Sequence, residues 1–193
     1  MADYFVEGGD VLENKFGISD SEELRKTEEF YFSEAASDII TNIDESVVFN
    51  FNFLLDLHRR LFGRVYYFAG KIRTVNITKT DSDIPFCYAD FIGVEAERIF
   101  DNLKSKDYLR GFEKDEFAIE LAKLSSELNA LHPFREGNGR TIRLFLQLLT
   151  NSAGFMLDYS LVEHEEIVNA DKAAFLGDMG PISELYKKVV RKI

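Results

Sequence analysis

Hydrophobic positions recur at helical spacing along most of this chain. Phe117, Leu121, Leu124, Leu128 and Leu131 fall at steps of four and three residues, which makes one continuous buried helix face. That helix ends near His132-Pro133, because a residue preceding proline is pushed out of the helical region. Phe53, Leu54, Leu57 and Leu61 predict a second amphipathic helix within Phe49 to Phe62, stopped by Gly63. Upstream, Ser19-Asp-Ser-Glu-Glu-Leu24 reads as a cap followed by acidic first-turn residues, opening a helix to about Ile40. A further helix spans about Phe91 to Leu103, with Val94, Ile99 and Leu103 on its inner side. Thr141 to Leu149 is apolar nearly all round, as expected of a helix buried in the middle of a domain. Two more helices are predicted, Val162 to Leu176 and Ile182 to Lys192.

The helical period fails between Tyr66 and Phe91. There Arg73-Thr-Val-Asn-Ile-Thr-Lys79 is rich in β-branched residues, and the turn-prone Thr80 to Asp83 leads to Ile84-Pro85-Phe86. This predicts a hairpin or extended flap. The fold class expected is all-α with one small β-hairpin flap.

Composition narrows the function. The chain has 193 residues, and 23 Lys+Arg against 34 Asp+Glu leave a formal net charge of −11. Nucleic-acid affinity comes largely from Lys and Arg displacing counterions, so general binding to nucleic acid or to an anionic membrane is not expected. Hydrophobic residues at 46% mark a chain that folds around a core. A single Cys87, no basic-then-apolar leader and no apolar run of membrane-spanning length point to the cytoplasm.

One segment concentrates chemistry: His132-Pro-Phe-Arg-Glu136-Gly-Asn-Gly-Arg140-Thr-Ile-Arg143. Gly137 and Gly139 flank Asn138, so successive backbone N–H groups can turn toward one anion. The helix that follows adds its own free N–H groups and the positive end of its dipole. Arg140 and Arg143 lie three apart on its first turn, and guanidinium forks match phosphate oxygens. This is a basic site in an acidic protein. Glu136 beside a phosphate site suggests a divalent cation between the two, and Mg²⁺ takes one or two carboxylates plus phosphate oxygens. His132 has the ordinary chemistry of a general base at neutral pH. Base, metal and phosphate cradle together suggest phosphoryl or nucleotidyl transfer to a hydroxyl. The segment lacks the GxxxxGK[ST] pattern of P-loop enzymes.

These residues resemble the HPFx[DE]GNGRxxR motif of the Fic (filamentation-induced-by-cAMP) proteins, whose fold is called Fic/Doc or Fido. The likeness continues through Leu57-His-Arg-Arg-Leu-Phe-Gly63, Phe68-Ala-Gly-Lys-Ile-Arg73 and Ile77-Thr-Lys79, with Phe68 where tryptophan is more usual. Val11 to Ile18 resembles the opening of the toxin-like bacterial members. The resemblance implies a protein adenylyltransferase, moving AMP from ATP to a hydroxyl side chain of a target protein and releasing pyrophosphate. It divides the chain into an N-terminal arm and helix, residues 1–48, and the Fido domain, 49–193. His132 would be the base and Glu136 the Mg²⁺ ligand. Gly137, Asn138 and Gly139 would form the anion hole, Arg140 would hold the β-phosphate and Arg143 the γ-phosphate. The flap, through Thr78, Lys79, Ile84 and Phe86, would pair with an extended target segment as an added strand. Phe134 would anchor the loop in the core. The phosphorylating Doc branch carries lysine where this chain has Gly139, which favours nucleotidyl transfer.

Members of this family are commonly restrained by a helix bearing (S/T)xxxE(G/N). Thr41-Asn-Ile-Asp-Glu45 supplies the threonine and the glutamate, with Ser46 in place of Gly or Asn, and makes Glu45 the candidate inhibitory residue. A separate small antitoxin supplying that glutamate is the preferred arrangement. The alternative function is a nucleotide-binding regulatory protein of the same fold without productive transfer; the intact His132, Arg140 and Arg143 favour the enzyme. His58 and His164 are read as having no part in the chemistry, His58 as a surface or hydrogen-bond-satisfied helical residue.

Overall fold

A computed structural model describes residues 4–6, 9–44, 46–78 and 84–193. Glu45 and Lys79 lie outside the described residues. Seven α-helices and one two-stranded sheet are present among them: α1 (Ser21–Thr41), α2 (Phe51–Phe62), α3 (Ile92–Ser105), α4 (Lys114–Leu131), α5 (Asn138–Ser152), β1 (Phe155–Leu157), α6 (His164–Phe175), α7 (Gly180–Val189) and β2 (Val190–Lys192). The chain forms two compact units. One gathers residues up to Ile92 with Pro133–Thr141; the other holds Gly93–His132 and Ile142–Ile193.

In the first unit α1 packs on α2. Asp20 caps α1, its carboxylate accepting from the Glu23 N–H at 2.8 Å, and Asn50 caps α2 by accepting from Phe53 N–H at 2.9 Å. Helix α2 buries one wide face, Leu54, Leu57, His58, Leu61 and Phe62. Helix α1 buries only Leu24, Glu28 and Ile39. Those positions share one face, so Glu28 is an acid where the helical period calls for an apolar residue.

Among the described residues the flap shows one antiparallel bridge, Thr78 to Pro85, with Phe86 N–H donating to the Ile77 carbonyl at 3.1 Å. Among the described residues Arg73 to Thr78 do not form a strand, despite their β-branched composition. Their links are instead irregular, and they centre on Arg73. Its side chain is 1% exposed and donates to the Val75 carbonyl at 2.7 Å and to the Cys87 carbonyl. A buried guanidinium at the flap's root thus replaces the ladder.

In the second unit α7 packs against α4 and α6. The expected face of α4 is buried in full, from Phe117 to Leu131. On α3 the inner face is Ile92, Ala96, Ile99, Phe100 and Leu103, whereas Val94 is exposed; Val94 lies off the stripe by nearly half a turn. Helix α5 begins at Asn138, three residues before the expected Thr141. The last three residues predicted as helix, Val190 to Lys192, pair antiparallel with β1 in the register Phe155–Lys192, Met156–Arg191, Leu157–Val190. β-Branched Val189-Val190 favours that exit from α7. No helix among the described residues is long and apolar enough to cross a membrane.

Phe117 is fully buried and its ring stacks on Phe155 at 4.5 Å. Phe117→Ala is expected to cost about 3–5 kcal/mol, read as a lower urea midpoint at unchanged slope; a loss near zero would mean that this contact does not hold the second unit together.

Candidate active site

Helix α2 is the platform on which the loop from Pro133 to Thr141 rests. His58 and Phe62, one turn apart, both face it. The His58 ring is fully buried and lies parallel to the Phe134 ring, centroids 3.7 Å apart. The Gly70 N–H donates to His58 Nδ1 at 2.8 Å, and the Nε2–H must therefore be the donor to the Glu136 carbonyl at 2.9 Å. One neutral imidazole thereby ties the turn after α2 to the residue preceding the glycine. Burial drives its pKa down to about 4, with the Arg140 charge adding to the effect and the Glu136 bond opposing it.

Two glycines are dictated by this packing. Gly70 has φ +78, and a Cβ there would lie 2.6 Å from the Arg59 Cβ. Gly137 has φ +80, and a Cβ would come within 2.5 Å of the Phe62 ring. Neither position admits a side chain without displacing α2. Asn138 is 3% exposed and closes the loop on itself: its Oδ1 accepts from the Phe134 N–H at 2.9 Å and its Nδ2 donates to the Phe134 carbonyl at 2.8 Å. Its side-chain amide is thus committed to the loop, and its backbone N–H opens α5. Thr141 donates its hydroxyl to the Gly137 carbonyl at 2.9 Å. Gly139 sits within the first turn of α5, where the free N–H groups of a helix start belong. Phe134 is fully buried, the anchor the sequence implied.

Glu136 is exposed, and its contacts fall on Oε1: the Gly137 N–H at 2.8 Å and Arg140 Nη2 at 3.6 Å. No cluster of three or more His, Cys, Asp or Glu residues suited to a metal exists among the described residues. A lone carboxylate fits a cation that takes its other ligands from phosphate and water, as Mg²⁺ does, and does not fit a zinc site. Arg140 is held tightly. Its Nη1 lies 2.6 Å from Glu28 Oε1, and its guanidinium sits over the rings of Phe62 and Phe32 at 4.8 and 5.3 Å. The Tyr66 hydroxyl donates to the other oxygen of Glu28.

The chain leaves and re-enters the second unit at the loop's two ends, so His132 and Arg143 belong there. His132 caps α4 in the left-handed region, φ 45 and ψ 60, a conformation that costs a residue with a Cβ about 1–2 kcal/mol. Its Nδ1 is 3.3 Å from the Asn129 carbonyl; a carbonyl only accepts, so Nδ1 carries a proton, and in the neutral ring the lone pair is then on Nε2. Arg143 is exposed on α5 and makes no ion pair among the described residues. Of the flap residues, Thr78 and Ile84 are exposed and Phe86 is half-buried. Glu28, Tyr66 and His58 were missed as site residues in the sequence. The signal for Glu28 was its place on the apolar stripe of α1; His58 lay in the apolar stripe of α2.

The Fic/DOC family model matches residues 48–150. The chain belongs to that family. It is 36% identical over 184 residues to the "Probable protein adenylyltransferase y4lH" of Sinorhizobium fredii, covering 95% of this chain and 93% of that one. It is 30% identical over 187 residues to the "Probable protein adenylyltransferase Fic" of Escherichia coli, covering 97% and 91%. Among solved structures, the N-terminal Fic domain of a Bartonella quintana cell filamentation protein with bound ADP superposes with a TM-score of 0.93 at 26% identity, over 98% of this chain and 94% of that one. The family match begins after α1, so it does not reach Glu28.

His58 makes a pH signature. Its folded pKa of about 4 lies below the ordinary value of 6.5, so the unfolded chain binds the extra proton between those values. The stability it contributes is complete above about pH 6.5 and is lost as pH falls toward 4, in total about 3 kcal/mol. Urea unfolding of wild type and His58→Gln from pH 7 to 4.5 should show the wild type losing stability more steeply, by up to about 1.4 kcal/mol per pH unit; parallel profiles would mean that His58 does not stay neutral beneath the loop.

Proposed function

We propose that the loop 133–141, with His132 and Arg143 at its ends, is where this chain, a protein adenylyltransferase, moves AMP from ATP to a hydroxyl side chain of a target protein. The observation that carries the site assignment is the loop's construction. Gly137 is pressed on Phe62 in a conformation only glycine tolerates, Asn138 is locked to Phe134, and the backbone N–H groups that open α5 are left to an anion.

In the reaction, His132 Nε2 takes the proton of the target hydroxyl. The hydroxyl oxygen bonds to the α-phosphorus, the bond from that phosphorus to the bridging oxygen breaks, and pyrophosphate departs. The N–H groups of Asn138 and Gly139, joined by that of Gly137 once it leaves the Glu136 carboxylate, receive charge that develops on the α-phosphate. Arg140 holds the β-phosphate and Arg143 the γ-phosphate. Glu136 holds Mg²⁺, which when bound supplies neutralising charge to the phosphate oxygens. Thr78, Lys79, Ile84 and Phe86 hold an extended target segment beside the flap. A separate small antitoxin, acting on Arg143 through a carboxylate, restrains the enzyme, and the setting is the cytoplasm. Exposure of Arg143 supports the antitoxin's access to it.

Incubation with α-labelled ATP, Mg²⁺ and a cell lysate tests the assignment. Wild type should transfer label to protein, and His132→Ala should lose about 10²- to 10⁴-fold in rate. Label transferred from γ-labelled ATP instead would make the chain a kinase, and undiminished transfer by His132→Ala would remove His132 as the base. Glu136→Gln should raise the Mg²⁺ concentration needed for half-maximal transfer; an unchanged requirement would place the cation elsewhere.

A further inference from the structure

We propose that Glu28 of α1 is a positioning residue for Arg140, and that α1 is thereby part of the nucleotide site rather than an arm beside it. The proposal rests on the reading of Arg140 as a ligand of the ATP polyphosphate. It starts from an anomaly of burial. Glu28 is 7% exposed and occupies a core-facing position of α1 between Leu24 and Ile39. Burying a carboxylate costs several kcal/mol unless it is paired and its lone pairs are satisfied. Here both oxygens are used, one by Arg140 and the other by the Tyr66 hydroxyl.

The pairing immobilises the guanidinium. Phe62 and Phe32 lie against it, and Glu28 takes Nη1 at 2.6 Å. An arginine has five N–H donors in a rigid fork, so donors remain for phosphate oxygens after Glu28 is served. A free arginine loses rotamer freedom when it is fixed; a clamped one has already lost it before the ligand arrives. Tyr66 in turn fixes the carboxylate. Three segments far apart in sequence, at residues 28, 66 and 140, thus converge to set one side chain, all within the first compact unit.

Attraction alone does not account for the arrangement. Glu28 cancels the charge of Arg140, which lowers long-range pull on a phosphate. What it adds is direction. A residue that merely supported the fold would affect every nucleotide alike, whereas one that aims Arg140 affects only ligands that carry phosphates beyond the first.

Calorimetric titration of the full chain with ATP and with AMP, both with Mg²⁺, separates these cases. Glu28→Ala should weaken ATP about tenfold and AMP by less than about twofold, and Glu28→Gln, which keeps an acceptor for Arg140, should recover most of the loss. Equal losses for ATP and AMP, unchanged ATP affinity, or tighter ATP binding, which would make Glu28 a restraint, each overturn the proposal. Should Glu28→Ala fail to fold, Tyr66→Phe carries the same comparison, with an ATP-selective loss of about two- to threefold expected and no selective loss overturning it. If wild type binds ATP no better than AMP, the polyphosphate reading of Arg140 fails first; if wild type discriminates and the variants do so equally, Glu28 alone is excluded.

Discussion

A neutral imidazole sealed beneath the loop is the constraint from which the rest of the site follows. His58 must be uncharged to accept from Gly70 and to donate to the Glu136 carbonyl at once, and its ring is fully buried and stacked on Phe134. Glu136 is held by its own carbonyl, Gly137 lies against Phe62, and the left-handed turn there leads into α5. The N–H groups of the first helical turn are aimed by this sequence of contacts. In the proposed phosphate site a helix platform, a ring stack and two glycines would therefore do the work that a longer glycine-rich loop does elsewhere.

Periodicity made the scaffold legible because most of it is helix buried on one face. α4 and α2 appear in the apolar pattern at nearly their observed limits, α5 is three residues longer at each end than the expected Thr141 to Leu149, and the motif loop lies where its glycines and its proline placed it. Failures occurred where local preference and tertiary context disagree. Residues 73–78 are rich in β-branched side chains, yet the buried Arg73 guanidinium takes the carbonyls of Val75 and Cys87, and among the described residues one bridge forms. Val190 to Lys192 continue a helical period, yet β1 offers an edge and β-branched residues accept it. Asn138 reads as a loop residue, yet its side chain closes on Phe134 and starts the helix early.

Long-range pairing is the part of a site that a linear reading sees least. The motif names its own residues because they are contiguous. Glu28 and Tyr66 are separated from Arg140 by more than seventy residues, and only the fold brings them together. Even so, a trace was present: a glutamate on an apolar stripe is either an error of register or a paired acid, and α1 has no register in which Leu24 and Ile39 are buried and Glu28 is not.

Charge at the site differs in kind from what two nearby arginines suggest. Arg140 has Glu28 at 2.6 Å and Glu136 at 3.6 Å, so its immediate surroundings carry two negative charges against one positive. Such a group does not draw in a polyphosphate by net attraction, least of all in a chain with a formal charge of −11. On the proposed assignment binding comes from short-range terms: aimed N–H groups, a preset guanidinium fork and a cation that would turn the exposed Glu136 from a repulsive neighbour into a ligand. On the proposed assignment the metal would take part in the recognition of ATP as well as in the chemistry. The surplus of acid around Arg140 would then make binding depend on Mg²⁺ and on a correctly shaped phosphate chain.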